Sequence, residues 1–392
     1  MDLGRILAAA GHAVAFFAMD CPQNEPSPWQ RHFATEVSFS PRHPWKLLKG
    51  LIRPVHAPGV ARQFKRLLDD FQPEVVHLHN VHTQLSPVVA QIAKARGLRV
   101  FWTLHDYKLL CPRYDFLRNG KPCELCLGGH LAHVLRYACL KDSRLASAIA
   151  YLEARKWSRK KLEAWTDVFI CPSRFMQAKM AEGGFPPEKL HVLHHFIDEE
   201  KLTGGRQPAQ DYYCYVGRLS AEKGIQTLLR VARELPYVLK VLGTGPLETE
   251  LRQRHSGDPQ IEFLGHRPWR EVRATLGQAR FSVVPSECYE VLGLAAIESM
   301  CLGVPVLGAR SGGIPELIDD PAAGATFEPG NARDLADQIQ AMWARGRAAF
   351  SAEKYAAKFS SSNYLKKLLP VYEGRHCDAS DPTASLNPSH PP

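Results

Sequence analysis

The chain has 392 residues, more than one hydrophobic core usually fills, so two domains are expected. Hydrophobic residues make up 45% and charged residues 23%, and no apolar run reaches bilayer length, which excludes a helical membrane span and a disordered polymer. Lys and Arg outnumber Asp and Glu by 49 to 40, a net charge of +9 that favours an anionic partner; nucleic acid is not expected, because no recognition module or aromatic platform accompanies the charge.

Met1 to Ala10 has helical spacing and ends at Gly11, after which Ala13-Val-Ala-Phe-Phe17 reads as a buried strand. Further β-rich runs follow at Val75–Leu78, Val100–Leu104 and Val168–Cys171, with helical stretches such as Leu85–Lys94 between them. Strand alternating with helix implies a parallel sheet covered on both faces. Thr203-Gly-Gly-Arg-Gln-Pro-Ala-Gln210 is a linker by composition. The pattern then restarts with strands at Tyr212–Val216, Tyr237–Leu242, Ile261–Leu264, Phe281–Val284 and Val304–Leu307. A domain at 1–204 and another at 205–358 are therefore expected, followed by a helix within 359–375 that packs outside the second unit, back on the first. Residues 376–392, rich in Pro, Ser and Asp, are expected to be disordered. Most of the ten cysteines are scattered and no secretory signal opens the chain, so a reducing, cytoplasmic setting is expected.

Three segments of the second unit carry chemistry. Gly217-Arg-Leu-Ser-Ala-Glu-Lys-Gly224 follows a strand and offers two cations: Arg218 can grip phosphate oxygens bidentately, and Lys223 supplies a compact charge. Read alone, it could equally be a solvated basic turn. Gly243-Thr-Gly-Pro-Leu247 is a tight turn whose amides at Gly243 and Gly245 could approach a nucleotide. In Pro285–Met300, Glu290 and Glu298 flank Gly293. A helix starting there would aim its first amides at an anion, put Glu298 in reach of two ribose hydroxyls and leave Glu290 for a sugar hydroxyl. The competing reading is a solvated acidic helix start, against which the apolar Leu294-Ala-Ala-Ile297 implies a buried helix.

These segments in this order, followed by Cys301–Gly308 and Ser311-Gly-Gly-Ile-Pro-Glu-Leu317, resemble the retaining glycosyltransferases of family 4 from Tyr215 to Glu328. The resemblance implies a GT-B fold: α/β, with two doubly wound Rossmann-like parallel-sheet domains facing a cleft. It implies that Arg218 and Lys223 neutralise the diphosphate of a UDP- or GDP-sugar and that Glu298 holds its ribose. Glu290 then lies near the donor sugar, backbone at Gly217, Gly293 and Leu294 helps the phosphates, and Leu264, Gly265 and His266 line the base pocket. Preplaced cations and amides suit a departing nucleoside diphosphate, so no cofactor or metal is expected in catalysis.

The first half matches less tightly. His105, in Thr103-Leu-His-Asp-Tyr107, is implied as a histidine contacting the donor sugar, whereas His77 and His79 are expected to be structural. Relative to the family, the first strand and glycine-rich loop are missing, so the chain is expected to start about 20 residues late. A non-catalytic nucleotide-sugar-binding relative is the alternative to an enzyme. Cys111, Cys123, Cys126 and Cys139 form one CxxC with two outlying partners, a thiolate set suited to structural zinc in an insertion at about 107–142. Arg42, Lys46, Lys49, Arg53, Arg62, Lys65 and Arg66, with Trp45, and a second group at Arg155–Lys161, suggest contact with anionic lipid at the inner face of a membrane. The expected acceptor is a glycan or lipid-linked precursor of a cell-surface polysaccharide or lipopolysaccharide.

Overall fold

The structure is a computed structural model that describes residues 2–37, 50–198 and 207–375. Arg42, Trp45, Lys46 and Lys49, the first part of the expected linker and the expected disordered tail lie outside the described residues.

The chain opens on the helix Asp2–Ala9. Gly4 lets this helix sit on Phe16, since a Cβ there would stand 2.2 Å from the Phe16 ring. The strand expected at Ala13–Phe17 is not formed. A strand exists only where its backbone finds a partner, and here pairing is confined to β1 (Met19–Asp20) with β2 (Ala34–Thr35). The main sheet of the first domain is parallel, in the order β3 (Val75–His79), β4 (Arg99–Thr103), β7 (Val168–Cys171), β8 (Leu190–Val192). Between β4 and β7 runs an excursion with a short hairpin, β5 (Leu117–Arg118) and β6 (Lys121–Pro122). The excursion is tied down by Lys108, buried against Glu153 at 3.0 Å. Removing one partner of such a pair strands a buried charge.

The second sheet is wholly parallel, in the order β11 (Ile261–Gly265), β10 (Val238–Leu242), β9 (Tyr212–Val216), β12 (Ser282–Val284), β13 (Val306–Ala309), β14 (Gly324–Phe327). Reading outward from β9, the chain adds strands first to one side and then to the other. The reversal falls between β9 and β12, and in doubly wound sheets ligands bind beyond the strand ends at this point. The loops leaving β9 and β12 are Gly217–Gly224 and Pro285–Gly293, the two segments that carry the charged candidates. The helix Leu294–Cys301 is fastened under β12 by a buried hydroxyl chain, Ser282 Oγ to Ser299 Oγ at 2.7 Å and Ser299 Oγ to the Val304 carbonyl at 3.0 Å.

The helix Ser361–Tyr372 crosses back to the first domain, where Tyr364, Leu368 and Val371 pack with Phe101, Val168, Ile170 and Leu193. Among the described residues, no helix is long and apolar enough to cross a membrane.

Candidate active site

Gly224 turns the chain at the end of the first charged loop. Its φ is +67° and a Cβ would lie 1.8 Å from the Pro285 carbonyl oxygen, so the loops after β9 and β12 touch through a position open only to glycine. That contact brings Lys223 to Glu290, Nζ to Oε1 at 2.6 Å. Ser286 Oγ donates to the same oxygen at 2.5 Å. Burial works to lower the Lys223 ammonium, yet Glu290 holds it above its ordinary value. Arg218 is different: its carbonyl accepts from the Tyr215 hydroxyl at 2.7 Å and from the Ser220 amide, while its guanidinium is exposed with no partner among the described residues.

Gly243 and Gly245 serve close packing of loops. A Cβ at Gly243, where φ is +134°, would stand 1.9 Å from the Gly217 carbonyl, and one at Gly245 would stand 2.4 Å from the Leu219 carbonyl. The Gly243 amide donates to the Gly265 carbonyl at 2.9 Å, and His266 just beyond is exposed. Gly293 precedes the helix Leu294–Cys301 with φ +92°, and no side chain caps this end, so the first helical amides point outward. Glu298 sits half-buried about 6 Å further along the helix axis. The expectation of a buried helix holds for Ala296 and Ile297, but Leu294 is 48% exposed, because it starts the helix on the open side of the loop.

The second carboxylate loop is gripped by the segment Ser311–Leu317. The Gly313 amide donates to the Glu290 carbonyl at 2.8 Å, Ser311 Oγ donates to the Cys288 carbonyl at 2.7 Å, and Gly312, at φ +61°, would drive a Cβ to 2.0 Å from the Glu290 carbonyl. Glu316, within the segment Ser311–Leu317, reaches the other domain. Its carboxylate accepts from the Phe175 amide at 2.6 Å and the Arg174 amide at 2.8 Å, capping the helix Arg174–Glu182. Burial pushes this carboxyl up, but His194 and the two amides outweigh it and hold it below the usual range.

From the first domain, strand ends deliver histidines. His105 Nε2 lies 2.9 Å from His79 Nδ1, and the His105 ring stacks on His195 with centroids 5.0 Å apart. One hydrogen must be shared between the two paired nitrogens, so both rings cannot be cationic in this arrangement. Burial lowers His105, and burial with the His105 charge lowers His195 to about 3. His79 therefore joins His105 in one cluster, while His77 is held between Tyr372 Oη at 2.5 Å and Thr103 Oγ1 at 2.7 Å. The two domains also meet directly: the Tyr107 hydroxyl donates to the Glu290 carbonyl at 3.4 Å, and Tyr289 packs on Phe175 with centroids 4.9 Å apart. The cysteines Cys111, Cys123, Cys126 and Cys139 lie in the adjoining excursion, around a cavity of their own.

Residues 1–201 match the family model described as Glycosyltransferase Family 4. The chain belongs to glycosyltransferase family 4. In this family 4 protein, residues 197–359 match the model described as Glycosyl transferases group 1. It is 28% identical over 283 residues to the sulfoquinovosyl transferase SQD2 of Arabidopsis thaliana, covering 69% of this chain and 50% of that one. It is 29% identical over 203 residues to the amylovoran biosynthesis glycosyltransferase AmsK of Erwinia amylovora, covering 47% of this chain and 49% of that one. These matches span about half the length of those relatives. Among solved structures, the sucrose-phosphate synthase of Thermosynechococcus elongatus superposes with a TM-score of 0.66 at 21% identity, over 95% of this chain and 91% of that one. Anabaena HepE in complex with UDP superposes with a TM-score of 0.60 at 18% identity, over 81% of this chain and 82% of that one. The fold is GT-B, with two Rossmann-like α/β domains.

Residues missing from the sequence reading are Ser286, Tyr289, Glu316 and His195. Ser286 and Tyr289 stood inside a segment already singled out, so proximity to Glu290 was their available signal.

Proposed function

We propose that this protein transfers a sugar, with retention of anomeric configuration and without a divalent metal, from a UDP- or GDP-linked donor to a glycan or lipid-linked acceptor in cell-surface polysaccharide synthesis. The observation that carries the reading is the Lys223–Glu290 pair at the point where the strand order reverses, with the exposed Arg218 guanidinium on the same loop. Lys223 and Arg218 meet the diphosphate, and the amides after Gly293 add to them. Glu298 holds the ribose, backbone at Gly217, Gly243 and Gly245 shapes the loops, and Gly265 with His266 borders the base.

In the reaction the bond from the sugar C1 to the diphosphate oxygen breaks and a bond from C1 to the acceptor oxygen forms on the same face. The acceptor's proton passes to the departing phosphate. With Oε1 already accepting from Lys223 and Ser286, Glu290 is suited to holding a sugar hydroxyl rather than attacking C1. His105 stands on the other side of the donor sugar. UDP in the HepE complex and the amylovoran biosynthesis in the name of AmsK support the donor and pathway classes.

Thermal melts with UDP- and GDP-sugars test the donor. A matching sugar nucleotide at 100 times its Kd stabilises the native state by about 2.7 kcal/mol, a rise of roughly 5–10 °C for a domain of this size. If neither class shifts the melt, the reading fails.

We also infer contact with an anionic membrane. The helix Arg144–Lys156 exposes Leu145 (64%) and Leu152 (54%), two turns apart, while its one acid, Glu153, points inward to Lys108. Arg155, Lys156, Arg159, Lys160 and Lys161 are exposed alongside. Retention on phosphatidylglycerol vesicles that is lost at high salt is the expected result. Equal behaviour on neutral vesicles would exclude it.

A further inference from the structure

The four cysteines of the excursion after β4 are spread over 29 positions, 111 to 139, yet they line one cavity together with His133 and Tyr137. Its volume is about 10 Å³, room for a single ion or water and too small for an organic ligand. None of the four is in a disulfide; Cys111 and Cys126 are buried, Cys123 and Cys139 half-buried. Backbone is committed to this gathering. Tyr114, Phe116, Asn119, Ala138, Lys141 and Asp142 all have φ between +47° and +80°, conformations that persist where surrounding structure imposes them. Among the described residues, no three such side chains already stand at metal-ligating positions.

We propose that Cys111, Cys123, Cys126 and Cys139 bind one structural Zn²⁺ as four thiolates, which rotate inward about χ1 to close the ring on the cavity they line. Four sulfurs in a small enclosed space suit tetrahedral zinc, with Zn–S bonds of about 2.3 Å. The metal would position more than its own loop. Glu124, between Cys123 and Cys126, lies 2.9 Å from Lys179 Nζ and hydrogen-bonds the Tyr289 hydroxyl, and Phe116 packs on the same Tyr289 ring at 6.1 Å. Tyr289 precedes Glu290 in the chain, so fixing the CxxC turn fixes the approach of the loop after β12.

The test is metal analysis of the full chain purified under reducing conditions without chelator, with cobalt substitution as a second readout. About one zinc per chain is expected, together with a thiolate-to-cobalt charge-transfer band in the Co²⁺ protein. The Cys123→Ser, Cys126→Ser double variant should lose zinc about tenfold or more, while Cys21→Ser keeps it. The assignment is overturned by wild-type protein with negligible zinc and four freely titrating thiols, by bound iron in place of zinc, or by full zinc in the double variant. Should that variant not fold, the wild-type cobalt spectrum decides: a spectrum without the charge-transfer band overturns the site.

Discussion

Replacing Lys223 by Ala is expected to cut turnover of the donor by about 100- to 1,000-fold, as losing one preorganised group that stabilises transition-state charge does elsewhere. Two effects act together. The ammonium that would meet the leaving diphosphate disappears, and Glu290, with a side chain only 14% exposed, loses the cation 2.6 Å away. The second effect disturbs the sugar side of the site as well as the phosphate side. Lys223→Arg is not expected to restore the rate, because a planar fork cannot replace a compact ammonium that also sits on Glu290 Oε1. Glu290→Gln separates the two effects: it removes the charge but keeps the shape, and should lose rate with little change in thermal stability. Release of nucleoside diphosphate from the matching sugar nucleotide measures both variants. Turnover within about twofold of wild type in Lys223→Ala would remove this lysine from the chemistry.

Gly224→Ala is expected to be among the most damaging single-methyl additions in the second domain, with Gly243 and Gly312, whose Cβ positions fall 1.9 Å and 2.0 Å from backbone oxygens. The backbone is left-handed at Gly224, and the new Cβ would meet the Pro285 carbonyl oxygen at 1.8 Å, a backbone atom that cannot swing aside. Strain in the conformation and forced separation of the two loops together should cost about 2–5 kcal/mol, lowering the melting temperature by roughly 5–15 °C. Gly257→Ala is the control, since a Cβ there meets nothing within 4 Å and its backbone is not left-handed. Calorimetry of the two variants gives the comparison, and equal melting temperatures would refute the role of Gly224 as the hinge between loops.

The parts of this molecule that were legible from residues alone share a physical origin. Strands β9, β12 and β13 announce themselves by short apolar or aromatic runs that are almost wholly buried, β10 and β11 by apolar residues around a single charge, and the loops after them by glycines and charges at strand ends. The pairing of Lys223 with Glu290 was not legible, because it depends on which strands neighbour each other, not on spacing along the chain. β14 is written Gly-Ala-Thr-Phe, too short and too small to stand out, and β8 has only three residues. At Ala13–Phe17 the composition suits a strand, but composition cannot supply the neighbour that makes one. His195 enters the site through ring stacking on His105, for which no motif exists. Glu316 escaped for a further reason: its closest partners are peptide groups, which leave no mark on the sequence of the other domain.

That last contact sets an unequal rule for exchanging halves between relatives. The first domain brings the main-chain amides of residues 174 and 175, which almost any amino acids provide, with His194 at 3.9 Å, whereas the second must bring a carboxylate of the right reach at position 316. A foreign first domain grafted onto this second one would therefore keep the two amide contacts, provided its helix begins in the same place. The reverse graft would keep them only with donors that carry the acid, so one residue would weigh on which recombinants join well.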